Sequence, residues 1–415
     1  MVKFNKSKKI IFLWLISFVI IFFINSIIIT EVFKLIIPLT AILGFIIIFN
    51  YTNFLHTTYT SYFLFFLISL TSLLGFTKTL TGSHAESSNL ILYGLSFYSA
   101  SLAFLLSSHP KKINYVEAFK LTNPLLLITG PISLFLKPLK GRKLISRINY
   151  YLPFMIIGIF FFKIIASPLM EFFFLLDSTD IISAIVFAII FEIFVYGNFC
   201  GLSLLIYGGF GLLGYRIPLN FKQPFSNYNV IDFWKGWHIS LSIVLKSLFY
   251  NPIRKKFPKF IAILSVFIAS SLWHGITPNF LIWGVFHALI FWLTLKLIQN
   301  NIRILPTILF VFGIIFGRLL FIESDSEKLF EKLSFHYEGL SIFSDLLIEK
   351  KISLFSLFLG FIMINLEFFF QKNKIMKKRN YKFLRSPVAL TIQIIIIVLF
   401  LTDIGGVDYA VYGQR

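Results

Sequence analysis

The chain has 415 residues, of which 57% are hydrophobic and 13% are charged. A soluble domain carries about 25% charged residues. Here the apolar residues also form runs of about 20, long enough to cross a bilayer as helices. The composition therefore excludes a soluble globular protein. It predicts an all-α, polytopic membrane protein with about ten to eleven membrane helices, plus re-entrant or interfacial segments.

The formal net charge is +20, and the Lys and Arg residues stand in short clusters between the apolar runs. Cytoplasmic loops of membrane proteins retain such residues, so the charge favours a role in orientation over nucleic-acid binding. The clusters predict a multi-pass protein of the cell inner (cytoplasmic) membrane, with its N-terminus cytoplasmic and its C-terminus extracytoplasmic. A single cysteine, Cys200, excludes an intramolecular disulfide and a Cys-rich metal site, and we expect no metal.

In chain order, hydropathy predicts four spans before the first long basic loop, and then an apolar segment broken by Pro124, Gly130 and Pro131. That segment suits a re-entrant or interfacial piece, because basic residues flank it on both sides. Seven further spans follow it. The predicted ranges are ~9–30, ~32–50, ~60–77, ~88–108, 121–136 (re-entrant), ~150–175, ~180–213, ~259–275, ~279–298, ~304–322, ~352–370 and ~387–402.

Two regions depart from this apolar pattern. The span at ~180–213 carries Glu192 and a run of glycines, and a polar patch at membrane depth should face protein or a cavity. Residues 215–258 are the longest polar stretch, which predicts short helical segments that lie in the interface or dip inward.

The stretch from Asp232 to His287 combines three histidines with four tryptophans. Trp234 and His238 are four residues apart and would share one face of a helix, which Asp232 could cap. An aromatic belt with a solvated histidine would explain this first cluster equally well. His274 ends a membrane span, where a histidine is either functional or bonded to a neighbouring helix. His287 follows Trp283 by four residues and suits a supporting role.

This composition limits the chemistry. The sequence contains no HExxH, no GxSxG and no phosphate-binding loop. A membrane histidine can act as a general base that takes a proton from a hydroxyl as that hydroxyl attacks an acyl carbon. A second histidine or an asparagine could orient the substrate or stabilise the developing oxyanion.

The motifs of this region resemble the membrane-bound O-acyltransferase (MBOAT) family, most closely its alginate O-acetyltransferase-like bacterial branch. The resemblance runs from about residue 90 to the C-terminus, and its core is 196–287. The motifs are DFWKGWHISLS (232–242), LWHG (272–275), Trp283-Gly284 with His287, GYRIPLNFKQPF (214–225), Tyr196–Ser203, Gly94–Tyr98, Gly130–Ile132 and Phe316–Arg318.

The resemblance implies one integral membrane domain over 1–415, with a catalytic core at about 90–322, and an O-acyltransferase activity. It implies that His274 is the catalytic base and His238 its partner. Acetyl-CoA is the implied acyl donor, and no cofactor is expected to stay bound. Residues expected to bind substrate or support the site are Asp232, Trp234, Trp237, Ser271, Trp273, Asn279, His287, Asn198 and Tyr196. Residues expected to meet the donor phosphates are Lys246, Arg254 and Lys255.

We therefore predict that the protein moves an acetyl group from cytoplasmic acetyl-CoA towards a hydroxyl of an extracytoplasmic polysaccharide or cell-envelope glycan. The transfer would be direct or would pass through a partner, an extracytoplasmic glycan acetyltransferase. D-alanyl transfer to teichoic acid from a carrier protein is an alternative within the family. A transporter or flippase without chemistry is a further alternative, which predicts inverted repeats that the sequence does not show.

Overall fold

The computed structural model describes residues 65–66, 100, 103–104, 123, 137–139, 141–178, 180–323, 326–333, 350–370 and 381–400. These ranges are mostly helical, and a short antiparallel pair joins β1 (Lys137–Pro138) to β2 (Tyr215–Arg216). The predicted segments between 9 and 136 lie outside the described residues, apart from isolated positions. Their number, and with it the predicted total of ten to eleven membrane helices, stays a prediction.

In chain order, a group of short helices stands between long ones. The first, α1, continues through a π-helical stretch (Phe160–Ala166) and a 3-10 stretch (Ser167–Asp177). The helices are α1 (Leu144–Ile159), α2 (Ile181–Leu212), α3 (Val230–Gly236), α4 (Ile239–Leu245), α5 (Asn251–Arg254), α6 (Lys259–His274), α7 (Pro278–Gln299), α8 (Ile304–Ile322), α9 (Ser326–Leu333), α10 (Lys351–Phe370) and α11 (Pro387–Phe400).

Among the described residues, five helical segments are long and apolar enough to cross a membrane, which confirms a multi-pass membrane protein. They are Leu144–Leu176, Ile181–Leu212, Pro278–Gln299, Ile304–Ile322 and Lys351–Phe369. Each coincides with a span that hydropathy predicts. Helix α6, also predicted as a span, has only 16 residues. At 1.5 Å per residue it is about 24 Å long, less than the ~30 Å hydrocarbon core.

Helices α1 and α2 pack closely along each other because glycines line their contact. A Cβ built on Gly158 would lie 2.8 Å from the carbonyl oxygen of Gly201, and a Cβ on Gly201 would lie 2.8 Å from that of Gly158. Small residues let backbones approach in a medium where apolar burial alone does not drive helices together. The glycine-rich pattern of α2 therefore serves helix packing at these positions.

The hairpin of α6 and α7 forms where the sequence predicts it. Gly275 ends α6 with an extended backbone, and Thr277 caps α7 by accepting a hydrogen bond from the backbone N–H of Phe280 at 3.4 Å. Pro278 occupies the first turn of α7, where its missing N–H costs no hydrogen bond. The two helices consequently return side by side, with His274 close to the start of α7.

The region 215–258 folds as the predicted series of short helices. Helices α3 and α4 are seven residues each, and α3 contacts both α7 and α8. Helix α7 packs on α8, and α8 packs back on α2. These helices, together with α6, border the space that is the candidate site.

Replacing Gly201 by Leu should destabilise the protein by about 1–3 kcal/mol, because the new side chain must push the backbone of α1 away. Gly209→Ala is the matched control on the same helix. A Cβ at Gly209 meets nothing within 4 Å, and alanine favours a helix. Thermal unfolding in detergent micelles checks this. Equal midpoints for the two variants would contradict the close crossing of α1 and α2.

Candidate active site

A cavity of about 480 Å³ lies between these helices. Helices α2, α3, α4, α6, α7 and α8 contribute to its wall, which is mostly apolar and rich in aromatic rings. The polar and aromatic residues of the wall include Glu192, Trp234, Lys235, Trp237, His238, Lys246, Lys259, Ser270, Trp273, His274, Trp283, His287, Arg318 and Phe321. The cavity thus brings His238 and His274 together, as the motifs predict.

The backbone reverses at His238. Helix α3 ends at Gly236, and His238 has φ 41° and ψ 54°, in the left-handed region that residues other than glycine rarely adopt. Trp234 and His238 are therefore not on one helical face, and that prediction is wrong. The spacing suits a helix, but the loop at 220–222 forms hydrogen bonds with the backbone on both sides of His238. Lys222 N–H donates to the Gly236 carbonyl, and Ile239 N–H donates to the Asn220 carbonyl.

Asn220 holds this turn with its side chain as well. Its Oδ1 accepts hydrogen bonds from Ser240 N at 3.0 Å and Ser240 Oγ at 2.8 Å. Both residues are buried, with relative exposures of 2% for Asn220 and 0% for Ser240. A buried acceptor that satisfies two donors fixes the start of α4. The left-handed conformation of His238 is therefore determined by its surroundings.

The cap of α3 also differs from the prediction. Asn229, not Asp232, is the N-cap, because its Oδ1 accepts from Asp232 N at 2.9 Å. Asp232 instead sits in the first turn, where its carboxylate accepts from Asn229 Nδ2 and pairs with Lys235 at 2.7 Å. Asp232 does not line the cavity. Its negative charge suits the positive end of the helix dipole.

Aromatic rings surround His274 at the end of α6. The ring centroid of His274 lies 5.0 Å from Trp273, 5.0 Å from Phe321, 6.0 Å from Trp283 and 6.2 Å from Phe280. The ring of His238 lies 6.4 Å from that of Trp273. Both histidines keep part of their surface accessible. A partly accessible imidazole can take a proton from a hydroxyl that enters the cavity.

His287 lies deeper than the other two histidines, with a relative exposure of 4%. Its ring contacts Trp283 at 4.7 Å, as the four-residue spacing predicts, and Trp234 at 5.4 Å. Its Nδ1 has no hydrogen-bond partner within the described part of the chain. His287 thus braces α3 against α7, which fits the predicted supporting role.

Several predicted substrate contacts lie outside the cavity wall. Asn279 is buried, and its amide donates to the Glu323 carbonyl at 2.7 Å and accepts from Ser326 Oγ at 2.9 Å. Ser271 donates to the Ile268 carbonyl at 2.8 Å, and a Cβ on Gly284 would lie 2.7 Å from its Oγ. Asn198 and Tyr196 of α2 do not line the cavity either. Asn279 therefore joins α7 to α9, and Ser271 bonds within α6, while Trp234, Trp237, Trp273 and His287 form the wall.

Of the three cations predicted to meet donor phosphates, Lys246 lines the cavity, whereas Arg254 and Lys255 do not. Lys259, the first residue of α6, also lines it, and so does Lys235. Because α6 runs from Lys259 to His274, these two residues are about 22 Å apart along the helix. The cavity is consequently elongated along α6, with Lys259 at the start of the helix and His274 at its end.

The cavity wall contains an ion pair that the sequence does not assign to the site. Arg318 Nε donates to a carboxylate oxygen of Glu192, and the two side chains are 11% and 7% exposed. Glu192 on α2 and Arg318 on α8 are 126 residues apart in sequence. The available signal was an ionisable residue inside each of two predicted spans, which is costly unless the two are paired.

A second buried polar group supports the turn from the side away from the cavity. Tyr196 donates to Glu367 of α10, and its ring lies 6.1 Å from Trp237. Tyr381 Oη donates to the Phe221 carbonyl at 3.2 Å and lies 3.1 Å from Cys200 Sγ. Tyr196 therefore acts behind the cavity wall, through its contact with Trp237.

Replacing Asn220 by Ala should leave the buried N–H and O–H of Ser240 without their acceptor and lower the stability by about 1–3 kcal/mol. Asn365→Ala is the control. That side chain is exposed and bonds only within its own helix, so its change should stay within about 0.5 kcal/mol. Thermal unfolding of both variants in the same detergent gives the comparison. An Asn220→Ala protein as stable as Asn365→Ala would show that the turn does not depend on this side chain.

Comparison with known proteins agrees with the motifs. The family model described as MBOAT, membrane-bound O-acyltransferase family, matches residues 144–315. A peptidoglycan O-acetyltransferase of Helicobacter pylori is 33% identical over 101 residues, which are 23% of this chain and 18% of that protein. A teichoic acid D-alanyltransferase of Bacillus subtilis is 27% identical over 111 residues, 24% of this chain and 28% of that protein.

A protein named "Probable alginate O-acetylase" from Pseudomonas putida is 31% identical over 106 residues, 25% of this chain and 21% of that protein. The matched segments thus span only 18% to 28% of these relatives' lengths. The family match covers the α1–α7 region and all three histidines of the cavity. The segment 144–315 of this chain is thus similar to the membrane-bound O-acyltransferase family.

Proposed function

We propose that the protein is an O-acyltransferase that uses His274 as the general base in acyl transfer from a thioester to a hydroxyl. The observation that carries the proposal is the elongated cavity, with His238 and His274 in its wall and Lys246 and Lys259 lining it as well. Such a cavity suits a donor with an anionic head and a long arm that ends in a reactive thioester. Acetyl-CoA is the donor that we propose.

In the proposed reaction, the acceptor hydroxyl gives its proton to His274 as its oxygen bonds to the acyl carbon. The C–S bond then breaks, and the leaving thiolate takes the proton back from His274. His238 is the partner that orients one of the two reactants, since it shares the cavity with His274. The aromatic rings around His274 limit the access of water and so disfavour hydrolysis of the thioester.

We propose that the acceptor is a hydroxyl of an extracytoplasmic polysaccharide or cell-envelope glycan, reached directly or through a partner acetyltransferase. Two of the relatives above are named as O-acetylating enzymes of peptidoglycan and alginate. The donor would enter from the cytoplasmic side of the inner membrane, where basic loops are retained. Comparing the O-acetyl content of envelope glycans with and without the gene tests this direction and acceptor class.

D-alanyl transfer from a carrier protein is the second candidate, because a teichoic acid D-alanyltransferase is among the relatives. A carrier must dock on the protein surface, whereas free acetyl-CoA needs only the cavity. Purified protein supplied with acetyl-CoA alone separates the two candidates. Acetyl release or transfer without a carrier supports the first candidate, and activity that appears only with a charged carrier supports the second.

His274→Ala should lower the rate of acetyl-CoA turnover by about 100- to 10,000-fold, because it removes the general base. Ser265→Ala is the control on the same helix. Ser265 bonds to the Ala262 carbonyl and does not line the cavity, so its variant should keep the wild-type rate. Thiol release is followed with purified, intact protein. A wild-type rate in His274→Ala would overturn the assignment of the base.

Lys246→Ala and Lys259→Ala should each raise KM for acetyl-CoA about three- to tenfold, with kcat nearly unchanged, if these lysines contact the donor phosphates. The same exchange at Arg254 or Lys255, both exposed and outside the cavity, should leave KM within twofold. The wild-type KM should also rise with salt, because screening weakens the contact. The reverse pattern, with an effect only at Arg254 and Lys255, would place the donor elsewhere and favour a carrier that docks on the loop.

A further inference from the structure

The Glu192–Arg318 pair has a position that helix packing alone does not require. The guanidinium carbon of Arg318 lies 5.5 Å from the centre of the Trp237 ring and 5.5 Å from that of Phe321. Trp237 directly precedes His238, and the Phe321 ring packs on His274 at 5.0 Å. The cation therefore lies between the side chains that flank the two histidines.

Glu192 holds the guanidinium through one of its two carboxylate oxygens. Arg318 Nε donates to Oε2, while Oε1 has no hydrogen-bond partner within the described residues. This contact holds Arg318 at Nε. An arginine carries four further N–H groups on its terminal nitrogens.

The charge of Arg318 also acts on two histidines of the cavity. It lines the cavity, and it is close enough to interact electrostatically with both His274 and His287. A charged pair inside a membrane protein is costly unless it is well bonded, so it commonly marks a functional site. The negative charge of Glu192 keeps the cation in place without any need for solvent.

We propose that the guanidinium of Arg318 is the group that stabilises the oxyanion during acyl transfer, with Glu192 as its positioning residue. This inference rests on the proposed function. As the acceptor oxygen bonds to the acyl carbon and its proton passes to His274, the electron pair of the C=O bond moves onto the carbonyl oxygen. Arg318 donates hydrogen bonds to that oxygen. The pair returns as the C–S bond breaks, and the thiolate takes the proton from His274.

The sequence suggests a second histidine or an asparagine for the oxyanion, and the structure favours neither over Arg318. The amide of Asn279 is bonded to the Glu323 carbonyl and to Ser326 Oγ, away from the cavity. His238 lies in the cavity wall but is the predicted partner of the base. A fixed cation next to the base needs no reorganisation when the charge develops, which is the condition for effective stabilisation.

The test is the kinetics of Arg318→Gln with acetyl-CoA in purified protein. We expect kcat to fall about 100- to 1000-fold, with KM for acetyl-CoA within about twofold, because the contact forms as the charge develops. Arg385→Gln is the matched control: Arg385 also stacks on two rings, Tyr150 at 4.9 Å and Phe154 at 4.4 Å, but lies outside the cavity. It should keep the wild-type kcat.

Removal of one charge from a buried pair can unfold a protein, so a double variant keeps the test decisive. Glu192→Gln with Arg318→Met removes both charges and keeps the side-chain volume. A merely structural pair predicts that this double variant recovers the wild-type kcat, which would overturn the inference. A folded double variant whose kcat stays about 100-fold or more below wild type supports it.

Rescue of kcat by added guanidinium ion is a further test, because a purely structural role of Arg318 does not predict it. Arg318→Ala should regain part of its kcat with millimolar guanidinium, and this rescue should vanish when Glu192 is also Ala. A wild-type kcat in Arg318→Gln, or rescue that ignores Glu192, would overturn the inference while leaving the proposed function intact. A wild-type protein that turns over neither acetyl-CoA nor a charged carrier would instead remove the proposed function itself.

Discussion

The candidate site depends on the hydrogen bonds that Asn220 makes across the turn at His238. A left-handed conformation at a non-glycine residue costs of order 1–3 kcal/mol, and it persists where the surroundings fix it. Here the side chain and the carbonyl of Asn220 take the N–H groups of Ser240 and Ile239. The turn separates α3 from α4 and places Trp237 and His238 in the wall of the cavity. A continuous helix through this region would carry the histidine along the α3 axis instead.

Polar groups behind the cavity wall follow from the same constraint. In an apolar surrounding each buried donor or acceptor needs a partner from the protein, so polar residues occur in bonded groups. Glu192 with Arg318 joins α2 to α8, and Tyr196 with Glu367 joins α2 to α10. Helix α2 is therefore hydrogen-bonded to α8 through Glu192 and to α10 through Tyr196. Its glycines, in turn, admit α1 at close range. One helix thereby fixes the distances among three others.

Much of the fold is readable from the sequence, because hydropathy reports each long apolar helix separately. The spans around α2, α7, α8 and α10 appear where hydropathy places them, and the α6–α7 turn follows from Gly275 and Pro278. The break at His238 is not readable in this way. The local spacing of Trp234 and His238 favours a helix, and the competing hydrogen bonds come from a loop about 20 residues earlier in the chain.

Some site residues can likewise be predicted from the sequence, and others cannot. Aromatic and histidine residues in the motifs reach the cavity because α3, α4, α6 and α7, which carry them, all line it. Asn279 and Ser271 look equally polar in sequence, yet their bonds go to Glu323 and Ile268. The Glu192–Arg318 pair joins residues 126 positions apart, and sequence alone shows only two isolated charges in apolar spans. Which polar residue faces a cavity and which joins two helices is decided by tertiary contacts.

The proposed chemistry must bind an anionic donor and also protect its thioester from water, and the position of His274 places these two tasks apart. Acyl transfer to a hydroxyl must compete with hydrolysis, and water is the most abundant acceptor in a cell. Rings of Trp273, Phe280, Trp283 and Phe321 surround His274 and limit the space that is open to water. Lys259, by contrast, lines the cavity at the other end of α6, and Lys246 lines the cavity as well. An anionic donor head can thus be bound by lysine while its thioester reacts among aromatic rings. This separation requires a helix about as long as α6, with one of these lysines at its start and the base at its end.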